Sequence, residues 1–314
     1  MELGQAPPFK NIDAYSNKIF GPDIGVVFNC EARNNGTATY AHRALKLLEA
    51  EGLCRVKHFQ PRGTIPEFDF YIYIDDGRDE IQWLPPHPCA YWAIDTHLGY
   101  GYRLWKARHF DRVFVAQQPA EAALKKDGIE NVRWLPLACH PEAHVTKQEL
   151  LTRGIAPDLV EQRWDIAFVG YLQDNYQEGY NSRVDYLDAL FTAFPNSRLA
   201  TNRFFEEMAI RYVKAKLGFN VSIKRDLNMR VFEVMSTGTP LLTNRDVDGI
   251  DEMFTDGVDY FGYKGKEEMV EVARHALSLN GEREEVGAHG FYKVRGQHTY
   301  VHRMETIIEE MKHV

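Results

Sequence analysis

The run Lys224-Arg225-Asp226-Leu227-Asn228-Met229-Arg230-Val231-Phe232-Glu233-Val234-Met235-Ser236-Thr237-Gly238-Thr239-Pro240-Leu241-Leu242 divides into three parts, and its reading decides the fold. A basic loop leads into a two-turn helix from about Met229 to Thr237, Gly238 stops it, and a buried strand follows over Pro240–Thr243. A helix N-terminus preceded by Lys224 and Arg225 is an anion site, because free backbone N–H groups and the helix dipole both favour a phosphate there. The amides of Asn228 and Met229, with Arg230 beside them, complete that site. Glu233, one turn in, can accept hydrogen bonds from the hydroxyl pair of a ribose. On periodicity alone the plainer reading, a solvated charged helix face, carries equal weight.

Outward from this run, the pattern repeats. Asp165-Ile166-Ala167-Phe168-Val169-Gly170 reads as the first strand of a sheet, followed by a polar loop over Tyr171–Tyr180 and a helix using Val184, Leu187, Phe191 and Phe194. A strand is expected over Leu217–Ser222, and a helix with Met269, Ala273, Ala276 and Leu277 on one face, ended by Asn280-Gly281. The last helix, opened by Thr299, repeats its apolar face at Val301, Met304, Ile308 and Met311. Towards the N-terminus, the strand Ile24–Phe28, the turn Asn34-Asn35-Gly36-Thr37 and a helix with Ala41, Ala44, Leu45 and Leu48 form a second such start. Strands at Val56–Phe59, Phe70–Ile74, Ala90–Ile94 and Val113–Val115 continue it. Short strands that are apolar throughout, separated by helix-length segments, indicate parallel sheets covered on both faces. Two successive α/β sheets are therefore expected, with ligands at the carboxyl ends of their strands.

The chain has 314 residues, room for two domains, and its 44% hydrophobic and 26% charged content excludes a disordered or fibrous chain. With 37 basic and 45 acidic residues the formal charge is -8, which supplies no pull toward nucleic acid or anionic lipid, so no nucleic-acid partner is expected. Cys30, Cys54, Cys89 and Cys139 show no CxxC spacing and read as buried thiols in a reducing compartment. The start lacks a leader pattern and no run is long enough to span a bilayer. A cytoplasmic protein, complete at its N-terminus and without an integral membrane segment, is expected.

The segment Phe232–Asn244 (FEVMSTGTPLLTN) resembles the nucleotide-sugar motif of group-1 glycosyltransferases of the two-domain GT-B architecture, and most closely their CgeB-like (spore-maturation-protein-like) branch. Ala215–Asn220, His298-Thr299-Tyr300 with Arg303, Asp95-Thr96-His97 and Trp134–Ala138 extend the resemblance over most of the chain. It implies two Rossmann-like β/α/β domains facing a cleft: an acceptor-side domain over 1–145, a linker over 146–162 and a donor domain over 163–297. A C-terminal helix over 298–314 would brace the first domain. It also implies that a nucleotide-diphosphate sugar is the co-substrate, with no further cofactor. Glu233 matches the second Glu of the family's E-x7-E pattern, which binds the donor ribose. The first falls at position 225, which is Arg225, with the carboxylate of Asp226 one place on. Donor binding is expected from Gly170, Lys224, Arg225, Asn228, Met229, Arg230 and Glu233, the cations neutralising the leaving diphosphate without a metal ion.

Asp95 and His97 follow an apolar run and so stand at a strand end, where they can orient the donor sugar or take a proton from the acceptor hydroxyl. A His that only caps its strand is an equal reading. Asn35, Gly36 and Thr37 occupy the strand-to-helix turn that approaches donor or acceptor in related enzymes, or form an ordinary turn. Asp75-Asp76-Gly77 is a turn signal first. His140 and His144, four apart beside Cys139, lack the pattern of a metal site. Gly99-Tyr100-Gly101 lacks the rest of a dinucleotide fingerprint, and Tyr100, Tyr102 and Trp105 line an acceptor groove or pack as ordinary aromatics. The expected activity is metal-independent transfer of a sugar, of the hexosyl class, to an unidentified acceptor. A nucleotide-sugar epimerase of the same fold and a non-catalytic sugar- or nucleotide-binding protein are the alternatives.

Overall fold

The computed structural model describes residues 21–28, 36–59, 65–75, 84–172 and 179–314. These fall into two units, one of the residues up to Leu137 with Tyr300–Val314, the other of Ala138–Thr299.

In the first unit the elements run β1 (Asp23–Val27), α1 (Thr37–Ala50), β2 (Arg55–His58), β3 (Phe70–Ile74), β4 (Cys89–Ala93), α2 (Tyr100–Ala107), β5 (Arg112–Val115), α3 (Gln118–Lys126) and β6 (Val132–Trp134). The strands form one parallel sheet in the order β2-β1-β3-β4-β5-β6. Every residue of β3 and β4 is buried, the signature of strands covered on both faces.

The second unit contains α4 (Lys147–Thr152), β7 (Trp164–Val169), α5 (Gly179–Ala193), β8 (Arg198–Ala200), α6 (Glu206–Val213), β9 (Ala215–Phe219), α7 (Met229–Ser236), β10 (Leu241–Asn244), α8 (Ile250–Met253), β11 (Phe261–Tyr263), α9 (Gly265–Ser278) and α10 (Asn280–Gln297). Its parallel sheet is ordered β8-β7-β9-β10-β11. Both sheets place their first strand between the second and third, so each has its topological switch point beside that strand. The last helix, α11 (Tyr300–Met311), belongs to the first unit. Its Tyr300 ring stacks on Tyr40 of α1, and Arg303 donates to the carbonyls of Pro136 and Leu137. Val301, Met304, Ile308 and Met311 are all buried.

Val145, Leu150 and Val160 share a core with Ala209 and Val213. Two details depart from the sequence reading. The strand expected to reach Ser222 ends at Phe219, where Asn220 turns its side chain to neighbouring strand ends. Asn280-Gly281 does not close a helix region but opens α10. Glycines share the buried face of that helix with Val286, Phe291 and Val294: a Cβ on Gly287 would lie 2.8 Å from Pro240, and one on Gly290 2.5 Å from the Asp259 carbonyl oxygen. Packing through close backbone approach weakens the hydrophobic period that a sequence shows. Cys54, Cys89 and Cys139 are buried free thiols, and no described helix is long and apolar enough to cross a membrane.

Candidate functional site

At the carboxyl edge of the second sheet, the ends of β9 and β10 are tied to the start of α7 by one buried side chain, Asn220, and the end of β7 is tied there by Arg230. Asn220 Nδ2 donates to Thr243 Oγ1 (3.0 Å) and Ser222 Oγ (3.2 Å), and its Oδ1 accepts from Arg230 Nη1 (3.0 Å). Arg230 Nε donates to the Val169 carbonyl (2.7 Å), and the guanidinium lies 4.6 Å from the Phe168 ring centre. The arginine is thus clamped over the end of β7. A Cβ on Gly170 would fall 2.4 Å from Arg230 Nη2, so only glycine admits this approach.

Asn228 caps α7, its Oδ1 accepting from the Arg230 N–H (3.1 Å) while Nδ2 donates to Ser222 Oγ (3.3 Å). Ser222 N–H in turn donates to Asn244 Oδ1 (2.8 Å). Lys224 and Arg225 both take left-handed backbone, with φ of 51° and 61°, and are exposed. Arg225 Nε pairs with Asp248 Oδ1 at 2.7 Å, on the loop after β10, and the Asp248 N–H donates to the Arg225 carbonyl.

Glu233 projects from the second turn of α7 with only 9% of its side chain exposed. Its Oε1 lies 3.4 Å from His144 Nε2. Burial pushes its carboxyl up to about 7, opposed by the nearby Arg230 charge. His140 and His144 are fully buried in a turn rather than on one face of a helix: the His140 N–H donates to His144 Nδ1 at 2.9 Å.

At the carboxyl end of β4, the chain passes through Asp95, left-handed at φ 54°, into a 3₁₀ turn over Thr96–Leu98 that carries His97. Both the N–H and the hydroxyl of Thr96 donate to Gln117 Oε1 at 3.0 Å. Arg103 of α2 braces the same loop, donating to the carbonyls of Ile94 and Gly99 and lying 3.1 Å from Asp75 Oδ2. Asp75 also accepts from the Tyr91 hydroxyl at 2.9 Å, which makes it a structural anion. Gly36 caps α1, and the buried Thr37 hydroxyl accepts from Tyr300 at 3.5 Å. Asn35, Asp76 and Gly77 lie outside the described residues. The Tyr100 hydroxyl donates to Asp127, and Tyr102 stacks on Trp105.

Among the described residues one group has metal-ligand chemistry: His87, Cys89 and Asp111, with ligand atoms within 4.8 Å of one another. It sits at the amino ends of β4 and β5, and Asp111 Oδ2 is engaged by the Cys89 N–H (2.7 Å) and His87 Nδ1 (2.8 Å). Sequence reasoning did not select Asn220, Ser222, Asn244 or His144 for the site. The available signal was a polar residue at the end of an apolar strand, directly after β9 at Asn220 and as the last residue of β10 at Asn244.

Residues 156–309 match a family model described as glycosyl transferase-like. The fold is similar to that of HepE from Anabaena, solved with UDP and glucose, at 12% identity over 93% of this chain and 99% of that one, with a TM-score of 0.64. Sucrose-phosphate synthase from Thermosynechococcus elongatus is similar at 11% identity, over 93% of this chain and 98% of that one, with a TM-score of 0.63. WaaG, a glycosyltransferase involved in lipopolysaccharide biosynthesis, is similar at 14% identity, over 91% and 98%, with a TM-score of 0.58. No curated protein matches the chain. The class is therefore the GT-B fold of two Rossmann-like domains.

Proposed function

We propose that the chain transfers a sugar from a nucleotide-diphosphate sugar to an acceptor hydroxyl. The observation that carries this reading is Glu233, a carboxylate with only 9% of its side chain exposed, at 3.4 Å from His144 Nε2. Burying a carboxylate is costly unless donors offset the lost hydration, and a ribose diol supplies two. Supporting it are the capped start of α7 at the carboxyl edge of a doubly wound sheet and the glycosyltransferase-like family match.

In this reading Glu233 takes the ribose, while Lys224, Arg225, Arg230 and the amides of Asn228 and Met229 hold the diphosphate, with Gly170 leaving room for Arg230. Negative charge that develops on the leaving diphosphate is stabilised by these groups as the glycosidic bond breaks. His97, with Asp95, takes the acceptor-hydroxyl proton or orients the sugar. Gly36 and Thr37, with Asn35, form the loop toward donor or acceptor. The activity is hexosyl transfer, metal-independent, in the cytoplasm, on the CgeB-like branch.

The test is a thermal-shift screen with UDP, GDP, dTDP and CDP, because a ligand bound only by the folded state raises stability by RT ln(1 + [L]/Kd). One of the three ribonucleotides is expected to raise the melting temperature more than dTDP, which lacks the 2′-hydroxyl, and its sugar conjugates to be consumed only when an acceptor is present. Consumption without acceptor identifies an epimerase or hydrolase instead, and binding without turnover a non-catalytic protein. Excess EDTA is expected to leave transfer unaltered. Loss of activity that magnesium or manganese restores overturns the metal-free mechanism.

A further inference from the structure

His144 stands outside the nucleotide motif by almost ninety positions, yet its turn is fastened to the motif helix at two places. Its Nε2 lies 3.4 Å from Glu233 Oε1, and its backbone carbonyl accepts from the Ser236 hydroxyl at 2.7 Å, one helical turn beyond Glu233. The turn itself is held from behind: the Cys139 N–H donates to the His298 carbonyl, and buried Arg295 donates to the Pro141 carbonyl and pairs with Glu149. Because the His140 N–H donates to His144 Nδ1 at 2.9 Å, Nδ1 is an acceptor and the ring proton sits on Nε2, facing Glu233.

The charge state follows from what surrounds the ring. Burial, with His140 and Arg295 facing it, drives the His144 imidazole well below its ordinary range, so it stays neutral at physiological pH. Arg230 is the cation facing Glu233 from its own helix. A neutral N–H donor orients the carboxylate without cancelling its charge, whereas an imidazolium would compete with a ligand's hydroxyls for it.

We propose that His144 is a positioning residue for nucleotide recognition, holding Glu233 Oε1 so that the second carboxylate oxygen is presented to the ribose diol. This rests on the assignment of Glu233 to the ribose. The two ideas separate experimentally by calorimetry with a nucleoside diphosphate and its 2′-deoxy counterpart, UDP with 2′-deoxyuridine diphosphate or the GDP or CDP pair, whichever ribonucleotide shifts the melting temperature. The wild type is expected to prefer the ribonucleotide by roughly 10–100-fold, the effect of one hydrogen bond to a charged group. Glu233→Gln is expected to weaken the ribonucleotide and shrink that preference. His144→Phe, with Glu233 intact, is expected to cut the preference to within about threefold while affinity for the deoxynucleotide holds, since only the ribose contact depends on His144.

His144→Gln, whose amide donates from near the Nε2 position, is expected to restore much of the preference. His144→Asn, polar but too short, is not, and this pair of variants carries the test if the phenylalanine variant fails to fold. A wild type with no preference overturns the ribose assignment and the proposal with it. A wild-type preference that survives His144→Phe, or is lost equally in the Gln and Asn variants, overturns the positioning role alone. A lowered melting temperature with both nucleotides weakened equally identifies a structural histidine and overturns it too.

Discussion

Asp75 in the first unit and Glu233 in the second are both carboxylates withdrawn from solvent, at 1% and 9% side-chain exposure, but their surroundings differ. Asp75 lies 3.1 Å from Arg103 and accepts from the Tyr91 hydroxyl, and Arg103 also donates to the carbonyls of Ile94 and Gly99 in the loop that carries His97. Glu233 has a neutral imidazole at 3.4 Å, while the cation whose charge acts on it, Arg230, is engaged by the Val169 carbonyl and Asn220. A buried charge matched by a cation and donors is structure. One left partly unmatched is held at a cost to stability, which a ligand relieves.

The contrast can be attacked first on the loop that the Asp75–Arg103 pair braces. His97→Ala is expected to lower kcat by roughly 10²–10⁴-fold with unchanged melting temperature and nucleotide affinity, the pattern of a group that acts on the reacting atoms. Steady-state kinetics and a melt on one preparation decide it, since a capping histidine gives the reverse pattern. Asp75→Asn comes next: it strands the Arg103 guanidinium in the core and is expected to cost about 3–5 kcal/mol. Hydrogen exchange across β3 and β4 reads that loss in the first unit alone, and a variant as protected as the parent would erase the distinction between the two carboxylates.

Glu233→Gln is expected to shift stability in the opposite direction. A carboxyl standing near 7 when folded, against an ordinary 4.5, binds its proton more tightly in the folded state, so stability is lost as pH rises from about 4.5 to 7. Above that window the ionised side chain costs up to about 3 kcal/mol. The Gln variant should therefore melt higher than wild type at pH 8 and about level with it at pH 4.5. Nucleotide affinity should run the other way, falling in wild type as pH drops below about 7 because the acceptor becomes protonated, while the variant lacks this component. Comparing the two slopes removes titration of the diphosphate itself. Gly170→Ala is the smallest: its Cβ would stand 2.4 Å from Arg230 Nη2, for an expected loss of about 1–3 kcal/mol and weaker nucleotide binding. An alanine variant with wild-type affinity removes the clamped Arg230 from the diphosphate site.

The most legible parts of the chain were those where hydrophobic period and element coincide. The α1 face at Ala41, Ala44, Leu45 and Leu48 is buried, and the strand Phe70–Ile74 lies within its expected bounds. The motif helix, expected from about Met229 to Thr237, runs Met229–Ser236. Less legible was α10, whose Gly287 and Gly290 pack by backbone approach. So was the pairing of His144 with Glu233, two residues with no local pattern in common.

By itself the sequence determined that there would be two parallel α/β sheets, because alternating apolar runs and amphipathic helices have few other ways to bury their faces. It also determined that a glycine-stopped helix after a basic loop would stand at a strand end, because that placement follows from local chain geometry. Tertiary structure alone decided which polar groups meet there. Asn220 was drawn into a hub, Arg225 was turned toward Asp248, and a histidine from a turn far away in sequence was set against Glu233. The reason is physical: burial of apolar surface is additive and readable residue by residue, whereas the matching of buried polar groups depends on which of them packing brings within about 3 Å of one another.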